Sequence, residues 1–116
     1  MSDSSPNLPA NPPAVPASLP KLDPVSALFA LGSSVRWPII QLLADGREMT
    51  ITECAAVAGR TRENMGKQML VLLAAGVVEF RYGEDRRQSL YSIPAARRPA
   101  SGVIDYGFCK IDLKLL

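Results

Sequence analysis

The sequence predicts a small α+β domain in which short helices come first, a β-hairpin follows, and one further strand lies near the C-terminal end. Three observations carry this expectation. Apolar residues recur at helical spacing between Asp23 and Gly76. Two of the helices so marked are joined by the short turn Ala58-Gly59-Arg60-Thr61. Past Gly76 the apolar period changes from that of a helix to that of a strand.

The chain has 116 residues, of which 47% are apolar, enough for one small domain and too many for a wholly disordered chain. No run approaches the roughly 20 apolar residues of a membrane helix, so no membrane partner is expected. The opening MSDSSPNLPANPPA has neither a basic nor an apolar region of the kind a secretory signal needs. Cys54 and Cys109 are the two cysteines, too few for a disulfide framework and suited to a reducing, cytoplasmic setting. Histidine is absent. That removes Ser-His-Asp and Cys-His catalysis and every metal site built on imidazole. No glycine-rich phosphate loop is present either. The expectation is a binding protein, not an enzyme, with no cofactor and no metal.

Seven of the ten prolines fall within the first 24 residues. Proline fixes φ and removes an amide donor, so residues 1–22 read as a Pro-rich disordered tail, partly polyproline II. A ligand for an SH3-type groove is the alternative reading of that tail. Residues 23–98 form the expected domain. Residues 99–116 form a linker and a strand that packs on the domain or on a partner subunit.

Within the domain, Asp23 is an N-cap, Pro24 suits the first helical position and Gly32 a stop. Val25, Leu28 and Phe29, joined by Leu31, form the apolar side of this first helix. The next helix carries Ile39, Ile40, Leu42 and Leu43 and ends at Asp45-Gly46; Pro38 either sits within its first turn or the helix starts later, near Trp37. Thr50 and Glu53 fit a capping box for a helix that ends at Ala58-Gly59. Thr61 then caps a longer helix running to about Ala75, with Met65, Met69, Leu72 and Leu73 on its apolar face. Two helices so joined are a helix-turn-helix. VVEFRY and RQSLYSI, separated by Gly83-Glu84-Asp85-Arg86, form a hairpin directly behind it, which is a wing. The fold class is therefore a winged helix-turn-helix of three to four helices and a two-stranded wing, with an extra C-terminal β-strand. That strand spans 103–113. Ile104, Tyr106 and Phe108 lie on one face, Cys109, Ile111 and Leu113 on the other, with a bulge or crossing near Gly107.

Residues 26–93 resemble the winged helix-turn-helix of the ArsR-like family of bacterial transcription regulators. SALFALGSSVRWPIIQLLADG resembles the opening LFxALxxPxRxxILxLL pattern of that family. TITECAAVAGRTRENMGKQMLVLLAAGVVEFRYGEDRRQSLYSI resembles its continuation through helix-turn-helix and wing. Metal-sensing members carry Cys-x-Cys where this chain has Thr50-Ile51-Thr52, and Cys54 falls at a core position. The resemblance thus implies a regulator that does not sense metal directly. Leu70 and Leu73 stand where relatives carry charge, so the C-terminal half of the long helix is apolar nearly all round, and the C-terminal strand is the candidate to cover its added face.

Between Arg60 and Arg98 there are eight basic and four acidic residues, whereas residues 1–59 carry three basic and five acidic ones. Positive charge thus gathers on the recognition helix, about 61–75, and the wing, 77–93, as expected for phosphate contact. The N-terminal part of the second helix of such a motif faces base edges in the major groove. Thr61, Arg62, Asn64, Lys67 and Gln68 are the polar residues there. Arg and Lys pair with guanine, Asn and Gln with adenine, while Thr61 either contacts phosphate or only closes the helix. Arg86 and Arg87 at the wing tip either reach the backbone or minor groove, or pair with Glu84 and Asp85 within the wing. Gly66 either admits a close backbone approach to DNA or is a tolerated small residue. Trp37, Tyr82 and Tyr91 read as packing groups. The expected function is a sequence-specific, double-stranded DNA-binding transcriptional regulator acting as a homodimer, its effector unknown. The alternative is a winged-helix protein–protein interaction module without DNA binding.

Overall fold

Residues 21–115 are described in a computed structural model of the chain; residues 1–20, the body of the Pro-rich tail, and Leu116 lie outside them. The sequence ends the tail at Leu22. In the structure Leu22 already packs against the core, with a methyl group where a Cβ on Gly76 would sit. Gly76 also holds φ at +78°, so glycine is required there on both counts.

α1 spans Pro24–Leu31. The Asp23 carboxylate caps it by accepting from the Ser26 amide at 3.0 Å. Its packing reverses the sequence expectation except at Leu31: Ala27, Ala30 and Leu31 are buried, while Val25, Leu28 and Phe29 are 75%, 56% and 69% exposed. The helix is apolar on two sides, and the alanine side, with less bulk, turns inward. The larger stripe faces out. α2 spans Trp37–Leu43, which places Pro38 at the second helical position, where no intrahelical bond is lost. Ile39, Ile40 and Leu43 are fully buried, each such side chain contributing about 1.5–3 kcal/mol on leaving water.

α3, Ile51–Ala58, opens on the expected capping box: Glu53 accepts from the Thr50 amide at 2.8 Å, and the Thr50 hydroxyl accepts from the Glu53 amide at 3.2 Å. α4, Arg62–Ala74, is capped by Thr61 and buries Met65, Met69 and Leu72. The two-stranded wing follows, β1 (Glu79–Tyr82) antiparallel to β2 (Ser89–Ser92), with Phe80 opposite Tyr91. Its base is tied to the segment before α3, because Met49 and Tyr91 exchange two backbone hydrogen bonds of 2.9 and 2.8 Å. Tyr91 and Trp37 pack as expected. Tyr82 does not: it is an exposed wing residue, edge-on to Phe80 at 5.6 Å between ring centroids.

The single C-terminal strand expected over 103–113 is corrected by the structure. It is a hairpin of β3 (Val103–Asp105) and β4 (Lys110–Asp112), with Ile104 opposite Ile111. Gly107, at φ +91°, turns the chain, and the Asp105 carboxylate accepts from its amide at 2.9 Å. The switch of apolar face marks a reversal of direction, not a bulge. The hairpin docks through buried Ile104 and Tyr106, and the Tyr106 hydroxyl donates to the Val77 carbonyl at 2.9 Å. It does not close over the apolar surface of α4: Leu70 remains 64% exposed.

No helix among the described residues is long and apolar enough to cross a membrane.

Candidate nucleic-acid interface

The cap at Thr61 sets the start of α4 and thereby the direction of its first two turns. The Thr61 hydroxyl accepts from the Asn64 amide at 3.0 Å. Arg62 and Lys67 are exposed, and Asn64 is half-buried beside them. Met65 and Met69 anchor α4 in the core, while Arg62 and Lys67 stand on its exposed surface. Arg60, Arg62 and Lys67 make no ion pair among the described residues. Their charge is left available.

Arg62 also lines a cleft of about 730 Å³ between α3 and the wing, with Thr52 and Glu53 on the helical wall and Arg87 and Gln88 on the wing wall. Two carboxylates in this cleft are already engaged. Glu53 holds the Thr50 amide, and Glu48 is paired twice with Arg81, at 2.6 and 2.7 Å. The Arg81 guanidinium lowers the Glu48 pKa below its ordinary value.

The wing-tip arginines are partnered within the wing. Arg87 pairs with Asp85 at 3.1 Å, and Arg86 lies over the Tyr82 ring at 5.8 Å from its centroid. The hydrogen bonds from Arg87 pull the Asp85 pKa down. Exposed pairs of this kind are weak, so a phosphate can replace the carboxylate at small cost.

Gln68, half-buried like Asn64, is not exposed with Arg62 and Lys67. Its side-chain oxygen accepts from Arg36 Nη1 at 2.7 Å. Arg36 is absent from the sequence-derived set, although an arginine inside the apolar run Val35-Trp37-Ile39 is a signal in itself. The Glu48–Arg81 pair is also missed, since 33 residues separate its members.

An added Cβ at Gly66 would meet only the Ile51 methyl, at 4.0 Å, so no packing within the chain requires glycine. Gly66→Ala is therefore expected to raise stability by about 1 kcal/mol in urea unfolding. Weaker duplex binding by the same variant would identify a close backbone approach.

Cys54 is buried, and burial together with Glu53 raises its thiol pKa to about 11, which keeps it protonated at neutral pH. Among the described residues no cluster of three or more His, Cys, Asp or Glu side chains is placed to hold a metal.

Comparison with protein-family models and with curated proteins finds no match. Solved structures do match. The homodimeric winged helix-turn-helix DNA-binding domain, fragment 1–100, of a possible ArsR-family transcriptional regulator of Mycobacterium bovis shares 28% identity at a TM-score of 0.53. That match covers 60% of this chain and 61% of the other. The transcriptional repressor BigR of Xylella fastidiosa shares 26% identity at a TM-score of 0.53, over 64% of this chain and 72% of its own. The first is described as a possible transcriptional regulator and the second as a transcriptional repressor.

Proposed function

We propose that this chain, an ArsR-like winged helix-turn-helix, is a transcriptional regulator that binds double-stranded DNA as a homodimer. The observation that carries the reading is the set of exposed cations without ion pairs at the start of the recognition helix: Arg60, Arg62 and Lys67. Arg62, Asn64 and Lys67 enter the major groove, and Thr61 closes the helix beside the phosphates. The cleft between α3 and the wing takes the sugar–phosphate backbone, with Arg62 on one wall and Arg87 on the other. Arg86 follows it along the wing. The exposed stripe Val25, Leu28 and Phe29 on α1 supplies the contact between subunits, because an apolar surface of this kind on a small domain marks an association site. One of the similar structures is itself homodimeric.

The test is fluorescence anisotropy against duplexes of about 30 base pairs selected from a randomised pool, long enough for two half-sites one turn apart. The parent is expected to bind with an affinity that falls steeply with salt, by about 0.9 log units per log unit of salt for each phosphate neutralised. The double variant Arg62→Ala, Lys67→Ala is expected to bind at least about tenfold more weakly, with a shallower slope and poorer discrimination against duplexes altered at the bases those residues read. Equal affinity and slope in parent and variant would reject this face. If the parent captures no duplex, the protein–protein reading replaces this one, and the internally paired wing tip supports it.

A further inference from the structure

Arg36 is a buried cation, 9% exposed, and its side chain joins two helices that are distant in sequence. Nε donates to the Ala30 carbonyl at 2.7 Å and Nη2 to the Phe29 carbonyl at 3.2 Å, both at the C-terminal end of α1. Nη1 donates to the Gln68 oxygen on α4, 32 residues away. The guanidinium carbon stands 5.5 Å from the centre of the Phe29 ring. A guanidinium is planar and presents its donors in fixed directions, so one rigid group sets α4 against the last turn of α1. It has donors only, which obliges Gln68 to present its amide oxygen.

We infer that Arg36 is a positioning residue for DNA reading: acting through Gln68, it holds the recognition helix at a set angle to the α1 face on which the second subunit docks. The inference rests on the DNA-binding reading above. Two half-sites one helical turn apart are read only when both recognition helices are correctly spaced, and that spacing follows from the angle between α1 and α4 in each subunit. Two consequences follow for the site. Bidentate recognition of adenine needs both the oxygen and the nitrogen of an amide side chain, and the Gln68 oxygen is committed to Arg36. Asn64 is then the amide reader of this helix. Gln68, assigned to the DNA from sequence alone, acts instead on the angle of the helix that carries it.

The experiment uses the full chain and three variants, Arg36→Met, Gln68→Leu and Gln68→Glu, with the duplex selected by the parent. Gln68→Leu removes the acceptor, whereas Gln68→Glu keeps it and pairs it with the guanidinium. Arg36→Met and Gln68→Leu are expected to bind about tenfold more weakly, within the usual range for coupling between sites, and Gln68→Glu within about threefold of the parent. A Gln68→Glu protein weaker than Gln68→Leu would overturn the inference, since glutamate destroys a base contact but preserves the link to Arg36. Unchanged binding by Gln68→Leu would also overturn it. Amide hydrogen exchange without DNA gives a second, independent readout. Exchange in the middle of α4 is expected to quicken in Gln68→Leu and to return to the parent rate in Gln68→Glu. This holds even if Arg36→Met fails to fold. A parent that binds no duplex would reject the DNA reading alone, and the exchange rates then decide whether Arg36 positions α4.

Discussion

Replacing both Val25 and Leu28 by glutamate is expected to leave the chain folded and monomeric, and to weaken duplex binding by about a hundredfold or more. Both side chains are largely exposed on α1, so the isolated domain loses little on their removal; surface changes of this kind stay within about 0.5 kcal/mol. The charges matter at the subunit contact, where four carboxylates would be forced together without partners. Once separated, the subunits bind their half-sites independently. The advantage of linkage, which spans about 10²–10⁴ in avidity, is lost. Light scattering checks the mass, thermal unfolding checks the fold, and anisotropy checks the affinity. A parent that is itself monomeric would reject the homodimer, and a variant that remains a dimer would place the contact elsewhere. Phe29 is left in place in this design because its ring lies beside Arg36.

Leu72→Ala is expected to be the most damaging single change of the helix-turn-helix, costing about 2–5 kcal/mol. Leu72 is fully buried in α4, and its carbonyl accepts from the Val77 amide at 3.2 Å, where the chain leaves the helix for the wing. Truncation leaves a cavity under α4 that the surrounding core cannot fully collapse to fill. For a domain of this size each 1 kcal/mol lowers the melting temperature by about 4–8 °C. The melting temperature should therefore drop by about 8 °C or more. Leu70→Ala, two residues earlier on the same helix, is expected to change stability by no more than about 0.5 kcal/mol, because that side chain is mostly in water. Similar melting curves for the two variants would contradict the packing described for α4.

That pair also shows where sequence reading reaches its limit. Met65, Met69 and Leu72 are legible as core because helical spacing and the Thr61 cap fix both the phase and the start of α4. The wing is legible because alternation and a turn segment coincide. α1 is different. Its residues are apolar on both sides, so spacing identifies a helix without stating which side faces inward. The choice falls to the small alanines, a matter of fit against neighbouring helices that a single segment does not encode. The C-terminal hairpin is hidden for a related reason. A change of apolar face at one glycine suits a bulge, a crossing or a turn equally well, and Asp105 capping the Gly107 amide settles it in three dimensions. Within the candidate site, exposure separates Arg62 and Lys67 from Gln68, and exposure depends on Arg36, a residue with no neighbour in sequence to reveal its partner.

Among the described residues, the hydrogen bonds that join the wing to the helical body lie at its root. Met49 pairs with Tyr91 there, and Glu48 grips Arg81, whereas the hydrogen bonds and ion pairs of residues 83–88 all stay inside the hairpin. Mechanically this is a cantilever. Among the described residues no hydrogen bond or ion pair ties its outer end to the body, so in the proposed DNA-binding reading that end would be the part able to adjust to grooves of different width.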